Sequence, residues 1–232
     1  MCNHIPNDII PIKWFGDRKA YMNSELKVVT VGLNPSSKEF REKDGRPFTT
    51  TLRFRHYQAD KPKTLIAALN AYFETRPYRW FNSFENVLNG MCASYYDNAK
   101  YPFRALHTDI CSPWATTPTW SKLPQNIKET LYADGHRQWV KLIKQLHPDI
   151  MIASVAREYI IDLGIENTEK LLCQFDRKND GTLRNQPVKV FQYKYNDIPL
   201  INCSLLCNPH TCLSKEYKNK IGTTIKRRLL RL

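Results

Sequence analysis

No Cys-x-x-Cys pair occurs in this chain, although it holds seven cysteines, at positions 2, 92, 111, 173, 203, 207 and 212. Their number is odd and several sit in apolar runs. They read as small reduced thiols rather than a disulfide framework. Cys203, Cys207 and Cys212 lie close in sequence, but their spacing fits no common zinc or iron–sulfur pattern. No metal and no other cofactor is expected. Neither G-x-G-x-x-G nor a P-loop is present, so an enzyme gripping a phosphorylated small molecule through a Gly-rich loop lacks its main signal. No apolar run approaches membrane-spanning length. The opening residues, MCNHIPNDIIPIKWFG, lack the layout of a signal peptide, and a cytoplasmic protein is expected. Internal repeats and low-complexity linkers are missing too.

Acidic residues are scarce beside basic ones: 22 Asp and Glu face 35 Lys and Arg, a formal charge of +13. Such an excess points to a polyanionic partner, and nucleic acid is the simplest. Basic residues cluster at 53–55, 61–63 and 215–228. A membrane surface would call for a strongly amphipathic basic helix, so no membrane partner is expected. Solubility alone is the competing explanation, and an excess this large weighs against it. With 232 residues the chain suits one α/β domain with a sizeable core.

Hydrophobic periodicity lays out the elements. Strands are expected at 27–33, 105–111, 149–154, 188–193 and 199–205. Helices are expected at 64–75, 84–93, 126–146 and 157–163, with a basic one at 214–232. Residues 41–63 read as a long polar loop, a kind of segment that is often functional. Strands alternating with helices imply a mostly parallel sheet covered on both faces. The expectation is a single-domain three-layer α/β/α sandwich, acting as a monomer.

The segment Val28–Phe40, VVTVGLNPSSKEF, carries the most information. A β-branched run ends in Gly-Leu-Asn-Pro-Ser-Ser, and helix-compatible residues follow. In an open α/β sheet, ligands bind at the carboxyl ends of strands. Gly32 allows close backbone approach to a ligand, and Pro35 fixes the turn. Ser36 or Ser37 can cap a following helix, whose free amides favour an anionic group. Asn34 then stands at a pocket rim with one donor and one acceptor. An ordinary strand-to-helix turn is the competing reading. Two further turns lie at strand ends, HTDICSPWATTP at 107–118 and CNPHTCLS at 207–214.

Together these turns resemble the uracil-DNA glycosylase superfamily. The first turn is similar to its Gly-x-Asn-Pro motif, in the form of mismatch-specific and single-strand-selective members. Gly45-Arg46-Pro47-Phe48 resembles the Gly-x-Pro-Phe that follows it. Asn208-Pro209-His210, with Leu213-Ser214 after it, resembles the second motif and its wedge loop. The resemblance implies a monofunctional DNA glycosylase with that superfamily's fold. Asn34 would hold the attacking water, and Asn208 with His210 would stabilise the leaving base or the sugar. Gly32, Leu33 and Pro35 would border the substrate. Phe48 would stack on the extruded base, and Asp109 would read its edge. Leu213 would fill the gap in the duplex, while Ser36, Ser214 and Lys215 would hold phosphates.

Elementary chemistry agrees with those roles. A base inside a duplex must be rotated out, at a cost of about a few kcal/mol, which a wedge and a stacking platform offset. Bond cleavage puts positive charge on the sugar and negative charge on the base, so oriented dipoles are the main catalytic resource. An amide such as Asn34 positions water without titrating. No lysine lies in the motifs, so a Schiff-base lyase step is not implied.

Two departures stand out. His210-Thr211 follows Asn-Pro where relatives have Ser or Gly, with one extra residue before Leu213. Asp109 is a carboxylate where an asparagine would match the uracil edge. An ionised carboxylate only accepts, whereas a protonated one also donates and suits a cytosine-type edge. Asp109 thus tilts the expected substrate from uracil towards a modified cytosine such as glucosylated hydroxymethylcytosine, in phage defence or base-excision repair. Alternatively it caps the following turn. His107 is a core histidine or a pocket residue, and Trp114 and Trp120 pack or line the base pocket. A non-catalytic DNA-binding protein of the same fold is the competing function.

Overall fold

The structure, a computed structural model, describes residues 4–5, 10–36, 54, 57–58, 60–61, 63–74, 77–97, 100–207 and 213–230. Its helices are α1 (Arg18–Met22), α2 (Thr64–Asn70), α3 (Asn82–Gly90), α4 (Gln125–Leu146), α5 (Arg157–Asp162) and α6 (Lys215–Leu229). The strands are β1 (Val28–Gly32), β2 (Ala93–Ser94), β3 (Phe103–Asp109), β4 (Ile150–Ala153), β5 (Lys170–Arg177), β6 (Leu183–Tyr195) and β7 (Ile198–Asn202). They form one seven-stranded sheet in the order β2-β3-β1-β4-β7-β6-β5. The expected mixed, mostly parallel α/β architecture is therefore present. Among the described residues, no helix is long and apolar enough to cross a membrane.

Two compact units share the chain: residues 1–23, 32–78 and 106–147 make the first, and 24–31, 79–105 and 148–232 the second.

The second unit contains the parallel pairings of β1 with β4 and of β4 with β7. Every residue of β1 and β4 is buried, which is why VVTVG and IMIA read as continuous apolar runs rather than alternating ones. Beyond β7 the sheet turns antiparallel through β6 and β5. β6 is much longer than the strand expected at 188–193, and β5 was not expected at all. In the same unit, α3 and α6 cross at Gly90 and Gly222. A Cβ on Gly222 would collide with the Val87 carbonyl oxygen, and one on Gly90 with the Asn219 carbonyl oxygen. These glycines let two helix backbones meet.

In the first unit, residues 12–15 run along the end of β3. Phe15 and His107 exchange backbone hydrogen bonds at 2.9 and 3.1 Å, and Ile12 N donates to Pro113 O at 2.7 Å. The long helix α4 covers this region with Trp139, Leu142, Ile143 and Leu146 buried. Gly135 permits its approach, since a Cβ there would collide with the Cys111 carbonyl oxygen. Trp139 Nε1 donates to Thr108 Oγ1 at 3.1 Å, tying the helix to β3. At its C-terminal end His147 adopts a left-handed conformation, φ 45°, and donates to Ile143 O at 3.1 Å. That is the usual way a helix stops.

Candidate functional site

Two of the three turns meet in the first unit. Gly32 ends β1, and its carbonyl accepts from Ile110 N at 3.0 Å, while Leu33 O accepts from Cys111 N at 2.8 Å. The turns then run side by side to a parallel bridge between Ser36 and Thr116. Gly32 and Pro35 are buried, whereas Leu33, Asn34 and Ser36 are half-buried. The Asn34 amide nitrogen donates to Trp114 O at 3.2 Å and to Thr116 Oγ1 at 3.0 Å.

The Trp114 carbonyl can only accept, so the nitrogen must face it. Both amide protons are then engaged, and among the described residues Asn34 Oδ1 has no partner. A fixed amide with an open acceptor is what a water-positioning group requires. Asn34 was expected at a pocket rim from its turn motif, whereas the Trp114 carbonyl and Thr116, which set the direction of its amide, were not expected. Only the density of turn residues in SPWATTPTW marked that stretch.

Asp109 lies at the end of β3 with 3% of its side chain exposed. Its Oδ1 stands 3.4 Å from His107 Nε2. Oδ2 is buried without a hydrogen-bond partner. Asp109 is therefore not a turn cap. His107 is 1% exposed and packs against Phe15, with ring centroids 5.5 Å apart, so it is a core residue that also touches the carboxylate. Asp109 lines a cavity between α4, α2 and residues 12–14, and none of residues 32–36 lines it. Asn34 and Asp109 thus belong to one unit but do not share that cavity.

Within the second unit, Ser214 is the N-cap of α6, its Oγ accepting from Tyr217 N at 3.1 Å. Its expected phosphate contact would have to use the remaining hydroxyl proton. Lys215 is exposed, as that role needs. Leu213 is 7% exposed, a burial that does not suit a wedge side chain. Phe48, Asn208 and His210 lie outside the described residues.

Other basic residues of α6 have partners inside the unit. Lys220 pairs with Glu216 at 2.8 Å, Arg228 donates to Leu172 O at 2.6 Å, and Lys218 donates to Ser83 Oγ at 3.0 Å. Arg227, like Lys215, is exposed. Burial lowers Lys218 from the usual lysine range. Burial pushes the neighbouring Cys207 thiol up to about 12, and raises Cys203 as well. Both stay protonated near neutrality and make poor nucleophiles or metal ligands. Among the described residues, no group of three or more His, Cys, Asp or Glu side chains could hold a metal ion.

No family model, no curated protein and no solved structure matches the chain.

Proposed function

We propose that the protein is a monofunctional DNA glycosylase with the uracil-DNA glycosylase-like fold, hydrolysing the N-glycosidic bond of an extruded pyrimidine, uracil or a modified cytosine. The carrying observation is the Asn34 amide, clamped by Trp114 O and Thr116 Oγ1 beyond the end of a parallel strand, with no partner for Oδ1 among the described residues. Held there, a water needs no strong base. As the glycosidic bond stretches, the sugar approaches an oxocarbenium ion that a neutral oriented water can capture. Fixing that water removes much of the entropic part of the barrier. The base leaves with the bonding electron pair, and the water's proton passes to solvent or to the base. The +13 charge supports a phosphate-rich substrate. The sheet and the Gly-Leu-Asn-Pro turn support the superfamily reading.

The test is incubation with DNAs carrying uracil, methylcytosine, hydroxymethylcytosine or glucosylated hydroxymethylcytosine, followed by alkaline cleavage of abasic sites. Release of one of these bases, lost in Asn34→Ala, is the expected result. DNA binding without release of any of them would turn the reading to a non-catalytic DNA-binding protein.

A further inference from the structure

The cavity that Asp109 lines has about 350 Å³ of space, within reach of a small organic ligand. Its apolar walls include Ile12, Trp14, Leu69, Trp139 and Leu142. Both indole N–H groups are already used, Trp14 donating to Asn70 Oδ1 at 3.1 Å and Trp139 to Thr108 Oγ1 at 3.1 Å. The tryptophans therefore offer a ligand ring surface alone, the surface on which a flat aromatic group packs.

Three cations, Lys13, Arg18 and Lys141, also line the cavity. Lys13 and Lys141 are exposed, and Arg18 is half-buried with its guanidinium 5.2 Å from the Trp14 ring. Among the described residues none of the three is in an ion pair. Among the described lining residues Asp109 is the only acidic one, with Oδ2 buried and unpartnered. A buried carboxylate oxygen without a donor is costly, and a ligand N–H would relieve it. The cavity therefore asks for a flat body, one hydrogen-bond donor and an anionic tail.

We propose that it binds a mononucleotide whose base carries an exocyclic amino group. The base packs among Trp14, Trp139 and the aliphatic walls, its amine donates to Asp109, and its phosphate meets Lys13, Arg18 and Lys141. An exocyclic amine projects beyond the ring edge and can reach a recessed carboxylate. The ring N–H of uracil is flanked by two carbonyl oxygens that the carboxylate would repel. Because none of residues 32–36 lines the cavity, this site does not depend on the proposed hydrolysis.

Calorimetric titration of the full chain with dCMP and dUMP, which are close to isosteric, tests the proposal. The expected result is that dCMP binds about tenfold tighter or more. Asp109→Asn should erase the preference, and Asn34→Ala should leave it intact. Deoxycytidine should bind more weakly than dCMP at low salt, and Lys13→Ala with Lys141→Ala should narrow that gap. Equal affinities for dCMP and dUMP, a preference that survives Asp109→Asn, or failure of both nucleotides to bind would overturn it. Should a thermal melt show that Asp109→Asn does not fold, the exposed lysine pair decides. Unchanged dCMP affinity in that double variant sinks the proposal.

Discussion

Asn34 Nδ2 stands 3.0 Å from Thr116 Oγ1, so a hydroxyl on the second turn sets the direction of an amide on the first. Thr116 is fully buried, and valine has nearly its shape without the hydroxyl. Thr116→Val should leave DNA affinity unchanged and slow single-turnover base release by about tenfold, as expected when a positioned group is loosened. Asn34→Ala should cost on the order of a hundredfold or more. If Thr116→Val reacts at the parent rate, the bond serves packing and not catalysis.

DNA affinity should depend steeply on salt. Lys215, Arg227, Lys61 and Lys63 are exposed, and each phosphate they neutralise releases counterions. A fluorescence-anisotropy titration should show affinity falling about tenfold or more between low and moderate ionic strength. Replacing Lys215 and Arg227 together by alanine should flatten the slope. A parent protein whose affinity is indifferent to salt would not be reading phosphates.

Legibility tracked local chemistry. β1 and β4 were plain because VVTVG and IMIA are buried along their whole length, and a parallel strand in that setting must be apolar throughout. α4 was plain because Trp139, Leu142, Ile143 and Leu146 repeat at helical spacing. β5 escaped detection because it is an edge strand with little buried besides Leu172, so KLLCQFDR carries no clean alternation. α2 stops at Asn70 although the apolar pattern runs on to Phe73, which sits in a 3₁₀ turn at Tyr72–Glu74. At the site, Asn34 was readable from its turn motif. Its clamp was not, because a backbone carbonyl such as that of Trp114 leaves no mark in sequence. The void beside Asp109 depends on how α2, α4 and residues 12–14 pack, which no short motif records.

Gly222 should prove intolerant of even one methyl group. A Cβ there meets the Val87 carbonyl oxygen and stands 2.9 Å from Gly90 Cα, so α3 and α6 would have to separate. The added methyl meets backbone rather than a flexible side chain, so its cost falls near the upper end of overpacking, about 3 kcal/mol. The ~1 kcal/mol that alanine gains in a helix interior offsets part of that, and Gly222→Ala should destabilise by about 2 kcal/mol net. Urea unfolding measures it directly. A variant at least as stable as the parent would mean the helices can shift without loss.

Glu85 on α3 predicts a specific pH response. Its carboxylate accepts from Ser94 Oγ at 2.7 Å and from Tyr95 N at 3.1 Å. Burial nevertheless outweighs these bonds and raises its pKa above the ordinary 4.5. Between that value and the raised one, the folded protein binds more protons than the unfolded chain. Stability from this group is therefore present below the ordinary pKa and is lost as pH rises through the folded one. Glu169 works the other way, because the Tyr193 hydroxyl and Arg157 lower its pKa, so the bare stability profile mixes opposite slopes. Comparison with Glu85→Gln isolates the first. The parent's unfolding free energy minus the variant's should decline as pH rises from below the ordinary 4.5 through the raised, folded value. A difference that stays constant would show that Glu85 titrates alike in the folded and unfolded chain, and one that grows would mean that its hydrogen bonds, not its burial, dominate.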